Sequence, residues 1–308
     1  MKKFNSARYL FVIALFSLSL PVFGGSTGPM NLDFQVGASV NFDTDINFDP
    51  ELIENSTDLD DMRITLNGSA NYVPFKFGNQ SIGFGLDVGM NSYQEETDYS
   101  NDSIAARTSY RINNLFNKFT FNLDAIYSNY NVDGDAYLYN VTLYPTLFWP
   151  HNDQFTSVFK LRLREQTYYN RDAASGSDMG LEFKEIWQIS AEQELGGGIF
   201  LNQCALDAGE LSYTGMRLNV DYTWRFMKDL ELNAAMSVGT KSFVDDSPGE
   251  GDPRSESFLV AAMSVGYDLG KWGRAYVGAQ TSSNSSNVDD FDVDHSTITA
   301  GYIYGMEF

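Results

Sequence analysis

Apolar and polar residues alternate one for one along most of this chain, and no other feature constrains its fold as tightly. Leu32, Phe34, Val36, Ala38, Val40 and Phe42 interleave with Asp33, Gln35, Gly37, Ser39, Asn41 and Asp43. Ile64, Leu66, Gly68, Ala70 and Tyr72 oppose Arg63, Thr65, Asn67, Ser69 and Asn71. Ile82, Phe84, Leu86, Val88 and Met90 oppose Gly83, Gly85, Asp87, Gly89 and Asn91. Met216, Leu218, Val220, Tyr222, Trp224 and Phe226 oppose Arg217, Asn219, Asp221, Thr223 and Arg225. Strand side chains point to opposite faces with period two, so each run predicts a strand with one greasy and one wet face.

The breaks between runs fall into two alternating classes. Tight ones lie at 78–80, 113–118, 150–153, 196–198, 227–229 and 270–273; longer, acidic ones lie at 49–60, 95–102, 132–135, 169–178, 207–213, 245–256 and 284–294. Together they join fourteen strands, within bounds of twelve to sixteen, because the run at about 199–206 alternates poorly. An even count puts both chain ends on the short-turn side. The runs exceed the ~9–11 residues that a tilted strand needs to cross lipid. A propeller blade of ~40–45 residues would hold four short strands where this chain has two long ones. An open sheet edge in hydrocarbon leaves backbone groups without partners, so the first and last strands must pair. The expected fold is all-β: a closed antiparallel up-and-down transmembrane β-barrel. Fourteen strands enclose more than the eight whose side chains just fill a bore, so the interior is expected to hold water. Alternation begins at about residue 30, leaving no N-terminal plug, and loops of about a dozen residues are too short to constrict the bore.

Lys2, Lys3 and Arg8 precede an apolar run, Tyr9 to Leu20, followed by Pro21 and Val22-Phe23-Gly24. This reads as a removed secretory signal over residues 1–24, leaving residues 25–308 as one barrel domain. No Cys follows the cleavage region, which argues against a lipoprotein. The whole chain has a formal net charge of −21, and losing the signal's three basic residues makes the remainder more acidic still. Such a balance excludes nucleic-acid binding, which draws its affinity from basic residues on phosphate. Cys204 is the only cysteine, so no intrachain disulfide forms, and it reads as a small apolar strand residue. Mean hydropathy is −0.28, as in a soluble protein, but interleaved faces hide a barrel's spans from any average.

In the last stretch Ile298, Ala300, Tyr302, Tyr304, Met306 and Phe308 oppose Thr297, Thr299, Gly301, Ile303, Gly305 and Glu307. Tyr302, Tyr304, Met306 and a terminal Phe308 resemble the closing strand of bacterial outer-membrane β-barrels of the porin type. That resemblance implies an outer-membrane location, recognition by the barrel-assembly machinery, and surroundings of lipid and lipopolysaccharide. Fatty-acid transporters are similar in barrel size only, since their N-terminal hatch has no counterpart here. The expected function is passive diffusion of small hydrophilic solutes. The alternative is a non-channel barrel that assists export of surface proteins or lipoproteins, or that binds partners through its acidic loops.

Lumen-facing charges are the first candidate site. Lys160, Arg162 and Arg164 share one parity, with Glu182 and Lys184 on the next run. Arg63, Arg107, Arg111, Arg217 and Arg225 are further inward cations, and Asp87, Asp124 and Asp221 inward acids. Opposed charges across a wet pore select solutes by sign; the plainer reading is a solvated wall whose charges cancel. The longer loops carry many acids against only Arg171 and Arg254. Asp58, Asp60 and Asp61, and Asp289, Asp290, Asp292 and Asp294, offer hard oxygens to Ca²⁺ or Mg²⁺, which would bridge to lipopolysaccharide phosphates. They lack the spacing and glycine of a dedicated calcium loop, and no other cofactor is indicated. Trp149, Trp224, Trp272, Tyr302, Tyr304 and Phe308 suit an interfacial girdle, while Tyr168 and Tyr169 are candidates for stacking on sugars. His151 and His295 are the only imidazoles. His295 points inward and is followed two positions on by Thr297, where barrel lipid hydrolases carry Ser. General-base chemistry is thinly supplied, and no enzyme is expected.

Overall fold

A computed structural model describes residues 32–44, 60–169, 174–246, 253–288 and 292–307. Their strands are β1 (Leu32–Thr44), β2 (Asp61–Phe77), β3 (Gln80–Tyr93), β4 (Asn101–Leu115), β5 (Phe119–Val132), β6 (Asp135–Pro150) and β7 (Phe155–Tyr168). They continue with β8 (Gly176–Gln188), β9 (Gln193–Leu206), β10 (Tyr213–Met227), β11 (Leu230–Asp246), β12 (Pro253–Asp268), β13 (Arg274–Ser286) and β14 (Val293–Glu307). Every strand pairs antiparallel with its sequence neighbours, and β1 pairs with β14 from Asp33 opposite Glu307 to Thr44 opposite Ser296. The ring is closed, with no strand edge left open.

The strands tilt around the ring. Following paired residues from Phe34 through Ala70, Leu86, Ala106, Tyr127, Val141 and Glu165 to Ser177 climbs from the short-turn end of β1 to the loop end of β8. Such a stagger is what closing a sheet of many strands requires.

Burial is inverted relative to a soluble protein. Val40, Ile64, Leu66 and Leu181 are roughly half exposed on the outward face, whereas Ser39, Asn41, Asn140, Thr142 and Thr297 are buried on the inward one. Each large apolar side chain left in water forgoes about 1.5–3 kcal/mol, so this ring is stable where hydrocarbon covers its outside.

Two connections differ from the sequence expectation. The expected acidic loop at 132–135 is a two-residue turn, Asp133-Gly134, with φ of 51° and 77°. Asp-Gly accepts both positive φ values, and the resulting twist matches that of the flanking strands. The expected turn at Gly196–Gly198 lies inside β9; the true turn is 189–192, closed by Ser190 and Gln188 side chains rather than by glycine. β9 therefore begins at Gln193, not near 199.

Candidate functional site: the inner wall

Strand parity divides the inner wall into two unlike halves. From β14 through β1 to β4 it is mostly Asn, Ser, Thr and Gly, joined in a one-way belt. Thr299 Oγ1 donates to Asn41 Oδ1 (2.7 Å), Asn41 Nδ2 to Thr65 Oγ1 (2.9 Å) and Thr65 Oγ1 to Asn91 Oδ1 (2.8 Å). Asn91 Nδ2 then donates to Asn101 Oδ1 (2.9 Å), and Asn101 Nδ2 to the Tyr99 carbonyl (3.1 Å). Each member between Thr299 and the Tyr99 carbonyl both donates and accepts, so the belt polarises along its length. It also crosses the β14–β1 seam. One step toward the loops, Asp43 accepts from Thr297 Oγ1 (2.6 Å) and Arg63 Nη2 (3.3 Å) and is ion-paired with Arg63 Nε at 3.0 Å, while His295 Nδ1 contacts the Thr44 carbonyl (2.9 Å). Thr297 is itself 3.0 Å from His295 Nε2. The imidazole is thus a seam tie.

The opposite half, β7 to β10, is charged and aromatic. Asp178, fully buried, takes Arg162 Nη2 at 2.6 Å and Arg164 Nη2 at 2.9 Å on one carboxylate oxygen. The Arg162 guanidinium also lies 4.7 Å from the Phe200 ring, and Arg217 approaches that ring at 5.2 Å. The ring covers Gly180, where any Cβ would collide with it. Among the described residues Arg217 Nε has no hydrogen-bond partner. Lys184 on β8 reaches over β9 to Asp221 on β10 at 2.6 Å. A Cβ on Gly196 would occupy the space of both side chains, and this is why glycine stands at that position of β9. Lys160 lies 4.5 Å from the Tyr144 ring. Glu182 sits between Lys160 and Phe200 in the register. With inward Arg225 and Glu194 counted, six cations face four acids on these strands, so the wall is net positive.

The other expected lumen residues also face inward and are anchored locally. Arg107 donates to Asn71 (2.5 Å) across β3, and Asp124 accepts from Ser109 (2.6 Å) and Asn122 (2.5 Å). Arg111 bonds Asn113 (3.0 Å). Near the short turns Arg225 and Arg274 share Glu231, each at 2.9 Å. Asp87 lies between Ser69 and Ala105.

Sequence reasoning missed an apolar roof at the loop end. Leu138, Tyr168, Cys204, Leu206, Tyr213 and Phe243 point inward and are covered by Ala174 and Leu211 from two loops. Leu211 is wholly buried because a short turn at Gly209–Leu211 folds into the mouth, where Ser212 Oγ accepts the Leu206 N–H (2.9 Å). A loop need not be long to narrow a bore if it closes with its own backbone bonds. Tyr168 is consumed by this packing and is unavailable to a sugar, whereas Tyr169 stays half exposed beside Tyr139. Beside the roof, Glu256 pairs with Lys241 (2.9 Å) and Arg254 (3.2 Å).

The rim acids do not converge. Asp61 is buried and spends its carboxylate on the N–H groups of Met62 (2.6 Å), Glu95 (3.0 Å) and Glu96 (2.9 Å), which fixes the 94–96 loop. Asp292 accepts the Ser286 N–H (2.6 Å), and Asp60 and Asp294 are exposed. Asp58, Asp289 and Asp290 lie outside the described residues. Among those described, no three His, Cys, Asp or Glu side chains could hold a metal ion. On the outward face Tyr302, Tyr304 and Met306 of β14 pair with Ala38, Val36 and Phe34 of β1; Phe308 lies outside the described residues. Trp149, Trp224 and Trp272 are exposed near the short turns, with Trp187 among them.

A closed antiparallel ring, apolar outside and hydrogen-bonded polar inside, is the architecture of bacterial outer-membrane β-barrels. Among solved structures the chain is similar in fold to a loop L8 deletion mutant of OmpT, an outer membrane protein of Vibrio cholerae. That match has a TM-score of 0.51 and 10% identity, over 89% of this chain and 99% of that one. Acinetobacter baumannii OccAB3 matches with a TM-score of 0.48 and 8% identity, over 90% of this chain and 100% of that one. A Pseudomonas aeruginosa FadL homologue matches with a TM-score of 0.45 and 9% identity, over 89% of each chain. The likeness is one of fold. No protein-family model matches the chain, and no curated protein does.

Proposed function

We propose that the chain is a non-enzymatic channel of the bacterial outer membrane, delivered by its N-terminal signal, through which small hydrophilic solutes diffuse passively. The observation that carries this reading is the inner wall, hydrogen-bonding or charged around most of its circumference, behind an apolar exterior. The neutral Asn/Thr belt gives solutes hydrogen-bond partners in place of water. The facing wall of Lys160, Arg162, Arg164, Lys184 and Arg217 is positive, and a field across the bore orients and sorts charged solutes. The apolar roof narrows the mouth on the β6–β11 side, so the aqueous path runs along the belt. On this reading Tyr302, Tyr304 and Met306 present the assembly signal, and the acidic rim attracts the divalent cations of the lipopolysaccharide layer.

Planar-bilayer recording of refolded protein tests the reading. Discrete conductance steps are expected, and a folded, inserted but silent barrel overturns it. Replacing Arg162 and Arg217 with Gln is expected to move the permeability ratio severalfold toward cations, read as the reversal potential in a salt gradient. An unchanged ratio removes these residues from the selectivity-determining wall.

A further inference from the structure

On β8 a carboxylate stands within an outward-facing row of apolar side chains. Glu185 shares its parity on β8 with Met179, Leu181, Phe183 and Trp187, all exposed hydrophobics. The cross-strand row through it reads Trp149, Ser157, Glu185, Gly197. The rows on either side are aromatic. Phe159 and Phe183 lie 5.1 Å apart toward the middle of the wall, and Phe155 stacks on Trp187 at 5.7 Å toward the short turns. Glu185 therefore sits one row inside the aromatic girdle, on the lipid side.

Its hydrogen bonding is organised but incomplete. Ser157, almost wholly buried, donates to Glu185 Oε1 at 2.5 Å. A hydroxyl has one proton, so His151 Nε2, 2.6 Å from the same Ser157 oxygen, supplies a proton of its own. Trp149 packs on that imidazole with ring centroids 4.4 Å apart. Glu185 makes no ion pair among the described residues. Beside it the wall is open, since a Cβ on Gly197 would meet only the Asn219 carbonyl at 4.0 Å.

An ionised carboxylate facing lipid is costly unless paired. Ser157 answers one oxygen and leaves acceptor capacity on the carboxylate, beside the open wall at Gly197, its register neighbour on β9. A carboxylate flanked by aromatic rings is the combination that holds an ammonium group. We propose that the Ser157–Glu185–Gly197 notch binds the primary ammonium headgroup of a phospholipid in the leaflet at the short-turn rim. A primary ammonium fits because its N–H groups can donate to the carboxylate, which a quaternary one cannot do. The proposal rests on the barrel lying in a bilayer, not on its conducting.

The test is native mass spectrometry of refolded protein released from micelles holding equal amounts of phosphatidylethanolamine, phosphatidylcholine and phosphatidylglycerol of matched chains. Wild type is expected to retain phosphatidylethanolamine over each of the others by about tenfold, the worth of one charge-assisted hydrogen bond. Glu185→Gln keeps an acceptor for Ser157 and is expected to bring the ratio close to unity. Gly197→Leu fills the notch without touching the carboxylate and is expected to do the same, so it carries the test should the first variant misfold. Equal retention of the three lipids by wild type, or a preference intact in both variants, overturns the proposal. A silent barrel that keeps the lipid preference contradicts the channel reading alone.

Discussion

Deleting residues 293–308 is expected to abolish the folded barrel, leaving only material that migrates as denatured chain whether or not the sample is heated. β14 pairs with β13 on one side and with β1 on the other. Its loss opens both ladders. Each backbone group then left bare in hydrocarbon costs several kcal/mol, and a domain holds only about 5–15 kcal/mol in reserve. The side chains add to this, because Thr299, Thr297 and His295 tie β14 to Asn41, Asp43 and Thr44. A truncated chain that still showed a heat-dependent gel shift would mean that β13 and β1 can close a smaller ring, and would contradict the closure argument.

The second large effect is expected at Asp178. This carboxylate is fully buried and is the shared partner of Arg162 and Arg164. Asp178→Asn leaves two guanidinium groups side by side against the apolar roof, with Cys204 opposite in the register. Removing one partner of a buried pair typically costs 3–5 kcal/mol; both arginines retain some contact with the bore, so about 3 kcal/mol is expected, read as a lower urea midpoint in detergent. Arg164→Gln added to Asp178→Asn relieves the repulsion and is expected to recover most of the loss, which a double-mutant cycle measures. The single variant is also expected to raise anion preference by adding positive charge to the wall. A stability change within about 0.5 kcal/mol, the range of ordinary surface substitutions, would mean that the cluster is solvated rather than structural.

Alternation together with the two classes of breaks makes the fourteen strands legible, and the cost of an open edge in hydrocarbon makes their closure so, because lipid imposes both along the whole ring. What alternation could not supply is which inward residues meet. Asp178 has the inward parity of Glu182 and Lys184 but falls in the stretch 169–178 whose residue types mark a loop, so the sequence does not reveal its pairing with Arg162 and Arg164. Phe200 is obscured because glycines at 196–198 signal a turn, whereas here Gly196 clears space for Lys184 and Asp221 to cross β9 and Gly198 lets the strand lie against the β8 backbone. Such lateral meetings depend on turn lengths and stagger, which residue types do not encode. Leu211 was beyond sequence reasoning for a related reason: a loop's direction is set by its own backbone bonds. The outward parity of Glu185, between Phe183 and Trp187, was readable from the start and is the plainest local breach of the pattern.

Two neighbouring residues on one strand of this barrel face different solvents. Asn67 and Leu66 are both exposed on the bare molecule, so only lipid can tell them apart. In a Cys204→Ser background, Asn67→Cys and Leu66→Cys are reconstituted in vesicles and treated with a charged, membrane-impermeant thiol reagent. Rapid labelling at position 67 and protection at position 66 are expected; equal labelling of the two, or the reverse order, would contradict a barrel with lipid outside and water inside.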